Sequence, residues 1–433
     1  MEPIAGRSLA RSREYLARAR KVIPSCTQTF SKGYTQFVQG VAPLFLERGR
    51  GSHVWDVDGN EYVDYLMALG PIVLGYDDPD VTAAVQRQLA DGVTFSLPHP
   101  LEVEVAEMLA KVVPCAEMVR FGKNGSDATS GAVRAARAYS GRDVIACCGY
   151  HGWGDWYIGT TTRRSGVPTA VCELTRTFTY NDIGSLERLF AEYRGRIAAV
   201  IMEPVGVVEP SPDFLQRVAA VTHASGAVLI FDEIVTGFRL ALGGAQERFG
   251  VTPDLACFGK AMANGFPLST VVGRREIMEV FDEIFFSFTF GGEALSLAAA
   301  RATIAKLREK NVIEHLWRQG TALQNGYNAF ARECGLDGRT QCIGFPPRTV
   351  LVFKDRAGAD SLAMKSLFQQ EMIKRGILTA GGFTLCYAHS DEDARRTLEA
   401  CRDALTLLAR AVAEDRVEAA LEGPVIQPVF RNA

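Results

Sequence analysis

The sequence predicts an α/β protein built on a mostly parallel sheet, and three observations carry that reading. Short, continuously apolar runs bounded by turns recur between residues 118 and 260, as in strands buried on both faces. Helical patterns alternate with them, and that order favours parallel pairing with right-handed crossovers. At 433 residues, the chain also exceeds the ~250–300 residues that one hydrophobic core usually holds, so two or more domains are expected.

Composition sets limits on function. The chain is 47% hydrophobic and 22% charged, with a net charge of −3, which gives no reason to expect nucleic-acid binding. None of the ten cysteines forms a C-x-x-C pair, and Cys147, Cys148 and Cys257 sit inside apolar runs. They read as core residues in a reducing cytoplasm, without a disulfide framework or a zinc site. No apolar run approaches the ~18 residues that span a bilayer. The first 22 residues lack the apolar segment of a signal peptide. A cytoplasmic protein is expected.

Taken in order, residues 8–22 carry helical periodicity and lead to Pro24 and a polar loop. Residues 42–66 alternate and contain Asp58-Gly59, a strong hairpin signal, so a small sheet is expected there. Two stretches within it imitate motifs. GRGSHV lacks the third glycine of a dinucleotide loop, and DVDGNE has Met67 where an EF-hand needs its twelfth-position glutamate. Residues 78–92 and 100–113 read as helices, the second led by a proline. A strand then meets a glycine turn at 122–126 and a helix from about Asp127 to Tyr139. Further strands end at Tyr150-His151-Gly152 and at Glu203, and a helix spans about 213–225. The runs 227–231 and 255–258 follow, then a long helix from about Glu293. Helices at 313–334, 360–375 and 391–414, with a strand at 349–353, complete a second, α+β domain. The expected divisions are 1–75 for the N-terminal helix and small sheet, 76–315 for the large domain and 316–433 for the small one. The tail from Gly423 is expected to be extended.

The run 227–231 delivers Asp232 and Glu233, and the run 255–258 delivers Lys260 into a glycine-flanked turn. Ligands of open α/β sheets bind beyond the carboxyl ends of such strands. On these residues alone a buried ion pair is the first reading. The alternative is that a lysine bonds a carbonyl cofactor while an aspartate holds its pyridinium nitrogen, the arrangement of pyridoxal 5′-phosphate (PLP). Other motifs favour the second. Gly125 and Ser126 stand between a strand and a helix, where backbone N–H groups can donate to a phosphate. Tyr150 is placed to stack on a flat ring, with Ile234 available for the opposite face. Glu203 needs a polar partner if buried. Thr289, before Gly291-Gly292, offers a second phosphate contact, or else marks a helix cap.

Together FDEIVTGFR, GKAMANGFPLS, NGSDA, YHG and WDVDGNEYVDY resemble the fold-type I, class III PLP-dependent aminotransferases. The likeness is strongest to the glutamate-1-semialdehyde aminomutase group and runs from about Ile23 to about Ala409. It implies a large domain with a mostly parallel seven-stranded sheet flanked by helices, and a smaller α+β domain from the chain ends. It implies Lys260 as the Schiff-base lysine and proton shuttle, Asp232 as the pyridinium partner, and Tyr150 and Ile234 on the two ring faces. It implies Gly125 and Ser126 at the phosphate, with His151 and Glu203 also at the cofactor. Thr289 corresponds to a threonine that reaches the phosphate of the neighbouring subunit, so a homodimer with shared sites is implied.

The chain departs from aminomutases at Leu69, where they carry a tryptophan, at Lys32 in TQTFSK, where they carry an arginine, and at EPVGVVEP. These departures favour the aminomutase-like aminotransferases, which act on keto or aldehyde groups of larger polar substrates such as sugars. L-Glutamate is the expected donor. An aminomutase, and a racemase or epimerase on the same scaffold, are the alternatives; an inactive scaffold is disfavoured by the complete Lys260–Asp232 set. Lys32, Leu69, His99 and Trp153 are the expected substrate contacts.

Overall fold

A computed structural model describes residues 7–429 and divides into two compact units, Pro79–Ile313 and a unit made of both chain ends. The chain-end unit opens with the helix Ala10–Val22 and strands β1 (Leu46–Arg50), β2 (His53–Asp56) and β3 (Glu61–Asp64), paired antiparallel. The β2–β3 turn forms where Asp58-Gly59 predicts it. Asp56 Oδ1 accepts the N–H groups of Asp58 and Asn60 at 3.0 and 2.8 Å, and Gly59 takes φ 88°. After β3 the backbone stays left-handed through Met67, Ala68, Leu69 and Gly70, with φ between 46° and 103°. Each non-glycine residue there costs roughly 1–2 kcal/mol. Asp64 offsets that cost by accepting the Leu66 N–H and the Tyr76 hydroxyl, each at 2.7 Å.

The middle unit carries the main sheet. Its strands are β4 (Met118–Gly122), β5 (Val144–Cys148), β6 (Thr175–Thr177), β7 (Ile197–Met202), β8 (Val228–Asp232), β9 (Leu255–Phe258) and β10 (Ser269–Gly273), in the order β4-β10-β9-β8-β7-β5-β6. All neighbours from β6 to β9 pair parallel, and β10 alone runs opposite to both β9 and β4. Every residue of β5, β7, β8, β9 and β10 is buried, which is why β5, β7, β8 and β9 read as apolar runs rather than alternation. The helix Gly125–Ser140 lies against them through Ala128, Ala132, Ala135 and Ala136. It starts two residues before the expected Asp127, because Asn124 is its N-cap and Asp127 closes the capping box.

The chain returns through the helix Val312–Glu333, the hairpin β11 (Thr340–Phe345) and β12 (Arg348–Phe353), and the helix Leu362–Lys374. Strand β13 (Ile377–Leu378) then pairs parallel with β3 and completes the four-stranded sheet β1-β2-β3-β13. The helix Asp391–Ala413 follows, capped by Ser390 and Asp393. The architecture is the expected one, a mostly parallel seven-stranded sheet with flanking helices and a smaller α+β part from the chain ends. No helix of the described residues is long and apolar enough to cross a membrane. The cysteines are free, and burial pushes the Cys147 thiol up to about 12.

His389 ties the last helix to β3. Its Nδ1 accepts the Cys386 N–H at 2.9 Å, its Nε2 donates to the Asp64 carbonyl at 3.1 Å, and its ring stacks on Tyr65 at 4.5 Å. Burial lowers its pKa to about 4 from the usual 6.5. A histidine that folds neutral contributes stability above its unfolded pKa and loses it as pH falls towards the folded value. Thermal unfolding followed from pH 7.5 to 4.5 should therefore show stability declining by at most about 1.4 kcal/mol per pH unit from this group. His389→Gln should be less stable at pH 7.5 and show a shallower decline.

Candidate active site

Asp232 is the last residue of β8, and its pairing partner on β9 is Cys257, three residues before Lys260. Adjacent parallel strands thus carry the acid and the lysine to the same edge of the sheet. Lys260 begins a short 3-10 turn with φ 39°, a left-handed conformation that costs energy and clusters at functional sites.

Asp232 is buried, yet both carboxylate oxygens are satisfied. Oδ1 accepts the Ile234 N–H at 3.1 Å, and Oδ2 faces His151 Nδ1 at 2.8 Å. The other ring nitrogen of His151 lies 3.1 Å from the Cys148 carbonyl. Both ring nitrogens thus face oxygen atoms, which fixes the orientation of the imidazole. His151 is itself packed on Trp156 at 5.9 Å and edge-on to Tyr157 at 5.4 Å. The sequence reading places His151 at the cofactor but does not give it this orienting role towards Asp232. The signal that shows it is topological: β5 and β8 both flank β7, which puts the loop after β5 within reach of the end of β8.

Glu233, one residue on, has a different task. Its carboxylate accepts the N–H groups of Ala245 and Gln246 at 2.8 and 2.9 Å and the Thr236 hydroxyl, and it caps the short helix Ala245–Phe249. Burial raises its pKa against those hydrogen bonds.

The loop after β5 is stitched to the Gly125–Ser140 helix. Ser126 Oγ accepts the Trp153 N–H at 3.0 Å, and Thr129 Oγ1 donates to the His151 carbonyl at 2.9 Å. Asp127 Oδ2 accepts the Lys123 and Asn124 N–H groups at 3.0 and 2.7 Å. The N–H groups of Gly125 and Ser126, in the first turn, have no acceptor among the described residues. A Cβ on Gly125 would stand 3.3 Å from Ile234, so the helix end approaches the Asp232 loop closely. Two open donors with the positive end of the helix dipole fit a phosphate, and a carboxylate at the end of β8 fits a pyridinium nitrogen. The residues present therefore fit PLP.

Tyr150 is half exposed, with its ring edge-on to Tyr157 at 5.6 Å. Burial, then the charges of Asp232 and Glu203, raise its phenol pKa. Glu203 leaves β7 and accepts the Tyr150 N–H at 2.8 Å. A Cβ on Gly149 would stand 2.6 Å from Glu203 Oε2, so that glycine gives the carboxylate its room. Thr289 lies in an exposed turn closed by the Gly291 N–H on the Phe288 carbonyl at 3.1 Å. The expected substrate contacts separate. His99 caps the helix Pro100–Val112 by accepting the Leu101 N–H at 3.2 Å and stacks on Phe95 at 5.1 Å. Trp153 is 71% exposed. Lys32 and Leu69 line a cavity of the chain-end unit.

Comparison with known proteins fixes the family. The model of the aminotransferase class-III family matches residues 35–334. The chain is 36% identical over 409 residues to 3-aminobutyryl-CoA aminotransferase of Cloacimonas acidaminovorans, covering 92% of this chain and 97% of that one. It is 37% identical over 429 residues to glutamate-1-semialdehyde 2,1-aminomutase of Chlorobaculum tepidum, covering 92% and 98%. Among solved structures, the PLP form of the FumI protein of Sphingopyxis sp. MTA144 aligns with TM-score 0.87 at 31% identity, over 93% of this chain and 97% of that one. An omega-transaminase from Sphaerobacter thermophilus aligns with TM-score 0.84 at 30% identity, over 93% and 100%. The chain belongs to the class-III aminotransferases, and its cofactor is PLP.

Gly152 gives a direct test of this geometry. It has φ 95°, and a Cβ there would stand 2.1 Å from Ser126 Oγ. Gly152→Ala should displace Ser126 and the helix N-terminus. A PLP titration of the apo-protein should then show affinity roughly tenfold weaker, the loss of about one charge-assisted hydrogen bond.

Proposed function

We propose that the chain transfers an amino group from an amino donor, with L-glutamate the first to test, to a keto or aldehyde group of a polar acceptor. The observation that carries this reading is the pairing of Asp232 with Cys257, which sets Lys260 and Asp232 on neighbouring strand ends. When bound, PLP supplies a carbonyl that takes up the amine and a ring that absorbs the electron pair left at the substrate's Cα. In this reading Lys260 holds the cofactor and moves the proton between Cα and the cofactor carbon. Asp232, kept in place by His151 and the Ile234 N–H, holds a proton on the pyridine nitrogen. Gly125 and Ser126 bind the phosphate through the backbone, while Tyr150 and Ile234 face the ring. Glu203 fixes the loop that carries Tyr150.

Thr289 is proposed to reach the phosphate in a second copy of the chain. Phe285, Phe288 and Phe290, which surround it, are 79%, 38% and 59% exposed, and clustered exposed aromatics mark interfaces. A homodimer with shared sites is part of this reading. The aminomutase relative from C. tepidum supports a second reading, an intramolecular exchange that needs no external donor.

Titrating the PLP-loaded enzyme with L-glutamate should release 2-oxoglutarate. Absence of that product, with conversion of a diamino or amino-aldehyde acid, would favour the aminomutase. Lys260→Ala should lower turnover by at least about a thousandfold and remove the visible absorption of lysine-linked PLP; retention of that band would sink the lysine assignment. Thr289→Ala should weaken PLP binding about tenfold. Light scattering should report a dimer, and a monomer with full PLP occupancy would contradict the shared site.

A further inference from the structure

The main sheet has a second edge, at the amino ends of its parallel strands, which the cofactor site does not use. A cleft of about 640 Å³ lies there. Its lining includes Arg142, just before β5, Ile197, the first residue of β7, and Phe190 and Arg194. The helices Ile183–Glu192 and Phe214–Ala224 end beside it. Strand β5, five residues long, separates it from the His151 loop by roughly 16 Å. The cleft is within the size range of small-molecule sites. It holds roughly twenty non-hydrogen atoms, counted at the volume of a liquid water.

Charge in the cleft is one-sided. Two arginines line it and no carboxylate does. Neither Arg142 nor Arg194 makes an ion pair with another of the described residues, whereas Arg188 and Arg217, on the same two helices, pair with Asp182 and Glu187. The carbonyl end of a helix carries about half a negative charge, which two guanidinium groups outweigh.

Arg142 is also fixed in place. It is half-buried, and its Nη1 donates to the Ser225 carbonyl at 2.8 Å and to the Ile197 carbonyl at 3.1 Å. That uses both hydrogens of this nitrogen. The Nε and Nη2 hydrogens have no acceptor among the described residues. Nε and Nη2 form the side of the guanidinium that matches two oxygens of one phosphate or carboxylate. Gly226 leaves room for Nη2: it has φ 64°, and a Cβ there would stand 3.2 Å away. The two carbonyls thus hold an arginine whose bidentate face is unspent, and little side-chain freedom remains to be lost on binding. Phe190, half-buried in the same lining, supplies a flat apolar surface.

We propose that this cleft binds a nucleoside monophosphate, its phosphate on the Arg142 fork and Arg194 and its base against Phe190. A phosphate answers the two unpaired cations, a flat ring answers the phenyl face, and the volume suits a nucleotide rather than a free anion. The site stands apart from the proposed transamination and depends on neither amino donor nor acceptor.

The PLP-loaded enzyme, freed of excess PLP and without amino donor, is titrated by calorimetry with adenosine 5′-monophosphate (AMP), adenosine and inorganic phosphate. AMP should bind saturably, and adenosine and phosphate should each bind at least about tenfold more weakly, because each lacks one half of the recognition. AMP affinity should fall as salt is raised. Arg142→Lys, which keeps the charge and loses the fork, should weaken AMP about tenfold. Arg194→Glu should weaken AMP about tenfold and leave adenosine unchanged. Arg194 is exposed, so this variant keeps the proposal open to refutation if Arg142→Lys fails to fold. The absorption of lysine-linked PLP should be the same in both variants and during every titration. No heat with AMP, adenosine or phosphate binding as tightly as AMP, or unchanged AMP affinity in Arg194→Glu overturns the site. Release of PLP by AMP places the nucleotide in the cofactor site and overturns it as well. If L-glutamate gives no half-reaction, the proposed donor fails while calorimetry still decides the cleft.

Discussion

A buried carboxylate at the end of a central strand is the constraint on which the middle unit depends. A charge removed from water costs several kcal/mol unless it is paired and hydrogen-bonded. Asp232 meets that requirement with a backbone N–H and an imidazole, and each partner recruits further structure. His151 needs an acceptor for its second nitrogen, which fixes it to the Cys148 carbonyl. It needs rigid walls, which Trp156 and Tyr157 supply. The loop carrying it is fastened by Thr129 to the helix whose N-terminus faces the same edge. Pinning one carboxylate therefore pins the β5 loop, the helix start and the β8 loop together.

Asp232 and Glu233 show how a strand end divides its labour. Successive side chains point to opposite sides, so one acid faces the site while its neighbour faces the body of the unit. Glu233 gathers four hydrogen bonds from residues 236–246. It holds the segment after β8 and so fixes where Ile234 lies. The two acids are not interchangeable, although they are adjacent and both buried.

Much of this was legible in the sequence, and the reason is burial on both faces. Strands β5, β7, β8 and β9 are unbroken apolar runs, so their ends, and hence the positions of Asp232 and Lys260, could be read directly. Strand β10 was missed because Ser269 and Thr270 open it and no helix precedes it; its place between β9 and β4 is set by pairing across the sheet rather than by its own pattern. Strand β6 is three residues at an edge, too short to show a period. The pairing of His151 with Asp232 joins residues 81 apart and depends on strand order, which local patterns do not carry. His99 was expected at the substrate from its loop position, whereas its ring nitrogen is taken by the helix it starts. The cavity beside Leu69 was invisible because it depends on a left-handed turn of non-glycine residues, which sequence signals for turns do not anticipate.

Strand β13 has a consequence for how the protein is made. It supplies the outer partner of β3, yet it lies roughly three hundred residues further along the chain. At synthesis rates of about 5–20 residues per second, the β3 edge waits some 15–60 seconds before its partner emerges. An unpaired strand edge is a template for pairing with another chain, and during that interval the buried middle strands are also being made. The first sheet to be synthesised is thus among the last to be finished. Glu61, at the start of β3, places a charge on the waiting strand, and such edge charges oppose wrong pairing. Nascent chains of this protein are accordingly most exposed to misassembly before the last hundred or so residues are made, and a chaperone that shields the amino-terminal hairpin acts at the step where the fold is most vulnerable.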